Sequence, residues 1–286
     1  MTRPELTPFE IYVAPARPRA ALWQTALGLC LIGLFYSAFL VLFIQMTRRF
    51  WTPGGAAGSM STLVLLMSFA GMGLGVMVVT RQLHKRAIAT LFGPAATVIR
   101  DFILAAFAVG AVFVLTLLFW AIEYDATPNL PLSAWLLVLP FGLIGIAVQT
   151  GAEELVFRGY LQQQLAARFR SPLIWMILPS LLFGSLHYDP ENSGPNLWWI
   201  VIATGLFGLV AADLTARTGS LGAAWGLHFA NNVAALLLLS TNGALSGMAL
   251  FVTPYAVSDP MVARVLQTEI AALLVTWLLA RLLLRR

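Results

Sequence analysis

Long apolar stretches alternate with short polar connections along most of the chain. Most of these stretches approach or exceed the roughly 20 apolar residues that a helix needs to cross the hydrocarbon core of a bilayer. The pattern predicts an all-α fold, a polytopic membrane protein of about eight transmembrane helices with an intramembrane catalytic site. The predicted spans lie at about residues 22–46, 60–80, 102–122, 133–165, 172–187, 197–213, 221–240 and 261–283.

The composition excludes an ordinary soluble enzyme. Of the 286 residues, 59% are hydrophobic and 10% are charged, whereas soluble domains carry about 25% charged residues. The single cysteine, Cys30, lies within an apolar stretch. A disulfide framework and a thiolate metal site are therefore excluded as well.

The basic residues predict the orientation in the membrane. Residues 1–20 contain four prolines among polar residues and predict an extended, solvated cytoplasmic tail, followed by a single transmembrane domain over 21–286. With that tail inside, 14 of the 17 Lys and Arg residues fall on the cytoplasmic side, and Arg48, Arg49 and Arg264 fall outside. This asymmetry predicts an integral protein of the cell (inner) membrane with both termini cytoplasmic. Because the basic residues flank spans, the net charge of +5 indicates no nucleic-acid partner.

Charged residues in the fourth span suggest a site. A charge at the bilayer centre costs at least about 2.5–3.5 kcal/mol, so such residues are functional candidates. Glu154 and Arg158 are four residues apart and can pair on one helical face. Glu153 points about 100° away from Glu154 and has no basic partner at that spacing. An unpaired carboxylate among apolar helices is expected to have a raised pKa, which suits a general base.

Two of the three histidines also lie in predicted spans. His187 ends the segment that begins at Pro172, and His228 is followed four residues later by Asn232. The third histidine, His84, lies in a basic cytoplasmic loop. A lone histidine on an apolar face is more often a hydrogen-bonded core residue, but two histidines together with Glu153 and an amide favour a site.

Peptide hydrolysis within the membrane requires groups of this kind. Glu153 would take a proton from water, while His187, His228 and Asn232 orient the water or bind the oxyanion. Alternatively, Glu153, His187 and His228 would ligate Zn²⁺ with one position open for water. The HExxH signature of soluble zinc proteases is absent, so the spacing leaves both alternatives open.

Other charged residues of the apolar segments are interpreted as structural. Glu269 in the last span is expected to snorkel towards the outer surface or to bond to a neighbouring helix. Asp213 and Arg217, four residues apart at a span end, are expected to form a surface pair.

The motifs resemble those of the intramembrane protease family that includes type II CAAX prenyl endopeptidases, bacteriocin-processing proteins and abortive-infection proteins. The three motifs occur in the family's order, as Glu153, Glu154 and Arg158, then Phe183 and His187, then His228 and Asn232. The resemblance covers about residues 150–235, within a catalytic core of about 131–240. It implies an eight-helix metalloprotease-like fold with Glu153, His187, His228 and Asn232 as the catalytic set and Arg158 as support for Glu154. It also implies a membrane-embedded or lipid-anchored protein or peptide as substrate, with the bilayer as the other partner.

Two other functions remain open, a proton-coupled transporter and a non-catalytic membrane scaffold. Helix lengths also raise a conflict within the protease hypothesis. At about 1.5 Å per residue, a fourth span starting at Ser133 places Glu153 near the cytoplasmic side, whereas His187 falls near the outer end of its span. With those boundaries the two side chains would not meet.

Overall fold

The chain is built almost entirely of helices. The computed structural model describes residues 6–47, 58–123, 125–243 and 245–285, and Arg3, Arg48, Arg49 and Arg286 lie outside these ranges. Its α-helices are α1 (Pro8–Val13), α2 (Leu22–Thr47), α3 (Ser59–Ser68), α4 (Ala70–Gln82), α5 (Ala95–Glu123), α6 (Leu132–Glu154), α7 (Gln163–Arg168), α8 (Leu178–Ser185), α9 (Pro190–Ser193), α10 (Leu197–Thr218), α11 (Gly222–Val233) and α12 (Val262–Leu283). Three π-helical segments join or extend these helices, at Leu155–Gln162, Leu173–Ile177 and Ala234–Leu238.

Six continuous helical stretches in the described residues are long and apolar enough to cross a membrane: Leu22–Met46, Ser59–Gln82, Ile88–Leu117, Leu132–Arg168, Pro190–Thr218 and Val262–Leu283. Many large apolar side chains on these helices point outward, as membrane helices require; examples are Leu34, Phe107 and Leu137. The predicted polytopic all-α membrane protein is therefore confirmed. The remaining two predicted spans coincide with shorter helical pieces, Leu173–Ser185 and α11 with its π-helical extension, so a count of eight crossings stays a prediction.

Residues 8–19 do not form the extended, solvated segment that the prolines suggested. Pro8 starts α1, where its missing N–H is tolerated, and Thr7 and Glu10 form a capping box. The Tyr12 side chain is buried, and its hydroxyl donates to the Leu91 carbonyl at 2.6 Å. The segment is therefore packed onto the helical domain by its own apolar face.

Close contact between α5 and α11 builds the centre of the bundle. A Cβ atom at Gly222 or Gly226 would overlap the backbone of Val98 or Phe102. The two helices can therefore approach only because these positions lack side chains. This contact fixes α11, which carries His228 and Asn232.

A small sheet lies next to the last two helical segments, an element that the apolar pattern did not predict. Strand β3 (Phe251–Ala256) pairs antiparallel with β1 (Thr127–Pro128) and parallel with β2 (Leu239–Asn242). The sheet ties the start of α6 to the connection between α11 and α12. It thereby closes one end of the space between these helices.

Candidate functional site

The length of the helix that carries Glu153 removes the predicted conflict in height. Helical structure runs without interruption over Leu132–Arg168, which at about 1.5 Å per residue is about 55 Å, far longer than a bilayer core of about 30 Å. The chain then reverses before Leu173–Ser185. Counted from this reversal, Glu153 and His187 lie at similar heights of about 21–23 Å. The span boundaries drawn from the sequence, which kept the two side chains apart, were wrong because they placed the end of the helix at the membrane surface.

All four predicted catalytic residues line one cavity of about 200 Å³. Glu153 comes from α6, His187 follows α8, and His228 and Asn232 come from α11. Residues of α10 and α12 complete the wall. The sequence motifs, which are up to 79 positions apart between Glu153 and Asn232, thus converge on one space.

Glu154 is the buried centre of the polar network behind this cavity. Its Oε1 accepts from Arg158 Nη1 at 2.9 Å and pairs with His228 Nδ1 at 2.8 Å. The side chains of Glu154 and Arg158 are 0% and 2% exposed. Arg158 Nη2 also donates to the Gly208 carbonyl at 3.1 Å, so the predicted helical pair extends to α10. The Arg158 guanidinium and the His228 N–H thus bond Glu154 Oε1 at a position that water does not reach.

Glu153 faces the cavity from the same helical turn. Its side chain is 13% exposed, and its Oε2 lies 3.6 Å from His228 Nε2. This oxygen accepts no hydrogen bond from the part of the chain that the structure describes. His228 must carry its hydrogen on Nδ1 to donate to Glu154, so the neutral ring presents an unprotonated Nε2 to Glu153. Both atoms are within reach of a single water molecule.

His187, like His228, has its Nδ1 atom engaged in a hydrogen bond, but with a different partner. Its Nδ1 donates to the Phe183 carbonyl one helical turn earlier, at 3.0 Å. The Nε2 atom is therefore left for the cavity. Phe183 packs edge-on against His228 and lies 5.0 Å below the Arg158 guanidinium. The phenylalanine of the second motif thus contacts groups from the other two motifs.

Three polar residues of the cavity, Gln149, Thr204 and Asn231, were not singled out in the sequence. Gln149 lies one turn before Glu153 on α6, and its Oε1 accepts from Asn232 Nδ2 at 2.9 Å. Asn231, next to Asn232, also lines the cavity. The spacing of four between Gln149 and Glu153 is the signal that could have identified the first of them.

Glu269, which the sequence indicated to be structural, also lines the cavity. It lies on α12, lines the 200 Å³ cavity and also lines a neighbouring cavity of about 380 Å³. The structure gives it no hydrogen bond or ion pair with any described residue, so the expected bond to a neighbouring helix is not present. Glu269 is 14 residues from the end of α12 at Leu283, a height of about 21 Å that matches Glu153.

The zinc site of Glu153, His187 and His228 that the sequence left open stays a prediction. Across the described residues, no three His, Cys, Asp or Glu side chains are close enough together to hold a metal ion. A catalytic zinc site ordinarily has three protein ligands.

Comparisons with known proteins agree with the motif resemblance. Residues 132–234 match the family model for Rce1-like proteins, described as type II CAAX prenyl endopeptidase Rce1-like, which confirms the resemblance for this segment. The uncharacterized protein YyaK of Bacillus subtilis (strain 168) is 32% identical over 115 residues, 40% of this chain. The matched segment spans 38% of the length of that relative. No solved structure matches the chain. Residues 132–234, which match the family model, contain α6, α8, α10 and α11, and Glu269 lies beyond them.

Proposed function

We propose that this chain is an intramembrane endopeptidase that hydrolyses a peptide bond of a membrane-embedded or lipid-anchored protein or peptide. The observation that carries the proposal is the convergence of Glu153, His187, His228 and Asn232 on one cavity. The match of residues 132–234 to type II CAAX prenyl endopeptidases supports the same reaction class. A helical bundle in a membrane provides a site into which water enters only through such a cavity.

In the proposed reaction, Glu153 is the general base. Its unpaired Oε2 accepts a proton from water, and the water oxygen forms a bond to the carbonyl carbon of the substrate. When the tetrahedral intermediate collapses, the carbon–nitrogen bond breaks. The proton on Glu153 then passes to the leaving amine, which returns the carboxylate to its starting state.

The neighbouring groups hold water and substrate. His187 and His228 each present Nε2 to the cavity because their Nδ1 atoms are engaged by the Phe183 carbonyl and by Glu154. Glu153 takes one hydrogen of the attacking water, and one of these two nitrogens accepts the other hydrogen, which fixes the direction of the water. Asn232 uses one amide hydrogen for Gln149, and its second hydrogen is directed to the substrate oxyanion.

The neighbouring cavity of about 380 Å³ indicates what kind of substrate enters. It is lined mainly by aliphatic and aromatic side chains of α5, α11 and α12, and it shares wall residues with the smaller cavity. An apolar substrate segment gains free energy by filling such a space. A peptide with a membrane-embedded or lipid-modified flank meets this requirement.

A comparison of peptide termini in membranes tests the proposal. Membranes containing the wild type, Glu153→Gln or Glu191→Gln at matched levels are compared by mass spectrometry of new protein termini. Glu191 is exposed on α9 and lies outside both cavities, so it controls for the loss of a carboxylate. New termini are expected with the wild type and with Glu191→Gln, and none with Glu153→Gln. Identical termini in all three membranes, with every protein folded, would contradict the proposal.

A further inference from the structure

Glu269 is a carboxylate without a counter-ion among the described residues, and its side chain is exposed where the polar 200 Å³ cavity meets the more apolar 380 Å³ cavity. It projects from α12, which lies beyond residues 132–234, the segment that matches the Rce1-like model. Neither cavity that it lines has a Lys or Arg in its wall. A carboxylate in such surroundings is costly unless a positive group or a hydrogen-bond donor pairs with it. The described residues supply neither.

The position of Glu269 makes a substrate group the natural partner. Six residues line both cavities, among them Glu269, Asn231 and Phe207, so Glu269 lies where the two spaces adjoin. A sphere of 200 Å³ is about 7 Å across, the length of about two residues of extended chain. A peptide bond held next to Glu153 therefore places its flanking side chains within reach of Glu269.

We propose that Glu269 is a substrate-binding residue that selects a Lys or Arg side chain close to the cleaved bond. This inference rests on the proposed proteolysis and adds a specificity to it. The aliphatic stem of a Lys or Arg side chain packs against the apolar wall, while its cationic head pairs with the carboxylate. The smaller cavity then contains two glutamates, of which Glu153 acts on water and Glu269 binds substrate. A wall with two glutamates and no Lys or Arg also favours the entry of cationic groups over anionic ones.

A peptide library measures this selectivity without knowledge of the natural substrate. A bacterial proteome cut after acidic residues leaves Lys and Arg inside the peptides. The library is incubated with the purified chain in phosphatidylcholine vesicles, and cleaved bonds are identified by mass spectrometry. For the wild type, Lys and Arg at one fixed position near the cleaved bond are expected to be enriched about tenfold over the library, equivalent to about 1.4 kcal/mol.

Substitutions separate binding by Glu269 from other roles. Glu269→Gln should reduce the enrichment to about onefold, and Glu269→Asp, which keeps the charge, should retain part of it. Gln267→Ala, on the same helix but outside both cavity walls, should leave both rate and enrichment unchanged.

The outcomes distinguish failure of this inference from failure of the proposed proteolysis. Wild-type cleavage without enrichment, or the same enrichment in Glu269→Gln, would overturn the role of Glu269 while leaving proteolysis in place. Loss of all cleavage in folded Glu269→Gln would also overturn it, because the carboxylate would then act in the reaction itself. If the wild type yields no more cleavage than Glu153→Gln, proteolysis has failed, and the selectivity falls with it.

Discussion

Arg158→Met should destabilise the protein because it leaves a buried carboxylate without its cation. The Arg158 guanidinium bonds Glu154 at 2.9 Å and the Gly208 carbonyl at 3.1 Å, with both side chains at most 2% exposed. Removing one partner of such a buried pair costs about 3–5 kcal/mol. That is a large share of the roughly 5–15 kcal/mol that stabilises a typical folded domain. Activity should therefore fall together with the amount of folded protein.

Thermal unfolding in one detergent, followed by size-exclusion chromatography, measures this effect. Arg217→Met is the matched control, since Arg217 pairs with Asp213 at 3.1 Å but is 47% exposed, where a pair contributes about 0–1 kcal/mol. The double variant Glu154→Gln/Arg158→Met removes the buried charge as well, and it should recover about 1–3 kcal/mol relative to Arg158→Met. The account is refuted if Arg158→Met and Arg217→Met unfold alike, or if the double variant is no more stable than Arg158→Met.

Two further predictions concern packing and metal dependence. Gly226→Ala should lower the free energy of unfolding by about 1–3 kcal/mol, because its Cβ would overlap the Phe102 backbone. Gly110→Ala is the control and should cause no loss, since nothing lies within 4 Å of a Cβ at that position. Equal unfolding temperatures for the two variants would argue against close packing of α5 and α11. Cleavage by the purified chain should persist after treatment with a chelator, because the described residues form no three-ligand metal site; activity that disappears on chelation and returns with Zn²⁺ would show that the ligands rearrange around a metal.

Local spacing predicted the polar pairs well. The contact between Glu154 and Arg158 follows from a separation of four residues within one helix, and the structure contains it at 2.9 Å. The apolar stretches likewise predicted where the long helices lie, because the requirement for about 20 apolar residues is set by the membrane itself. The extended, solvated tail predicted from the prolines was wrong for residues 8–19. Thr7 and Glu10 form a capping box, and Pro8 stands at the first position of the helix, where proline is favoured.

Relations between distant helices were harder to predict. Whether Glu153 meets His187 depends on where the chain reverses after Arg168, and composition does not set that point when a helix extends beyond the bilayer. The sequence placed Glu269 near the outer end of its span, where a snorkelling or helix-bonded side chain is expected. Its place in the cavity wall follows from how α12 packs against α5 and α10, which is a tertiary relation. Counting its distance from the carboxyl-terminal end of α12 would have placed it level with Glu153.

The most direct test of the account follows the oxygen atom that Glu153 is proposed to activate. The purified wild type in vesicles, given a peptide that it cleaves, is incubated in water enriched in oxygen-18, alongside Glu153→Gln. The account predicts one oxygen-18 atom in the new carboxyl terminus with the wild type and no cleavage product with Glu153→Gln. Cleavage of equal rate in the two proteins, or a wild-type product without the label, would contradict hydrolysis by a water molecule activated at Glu153.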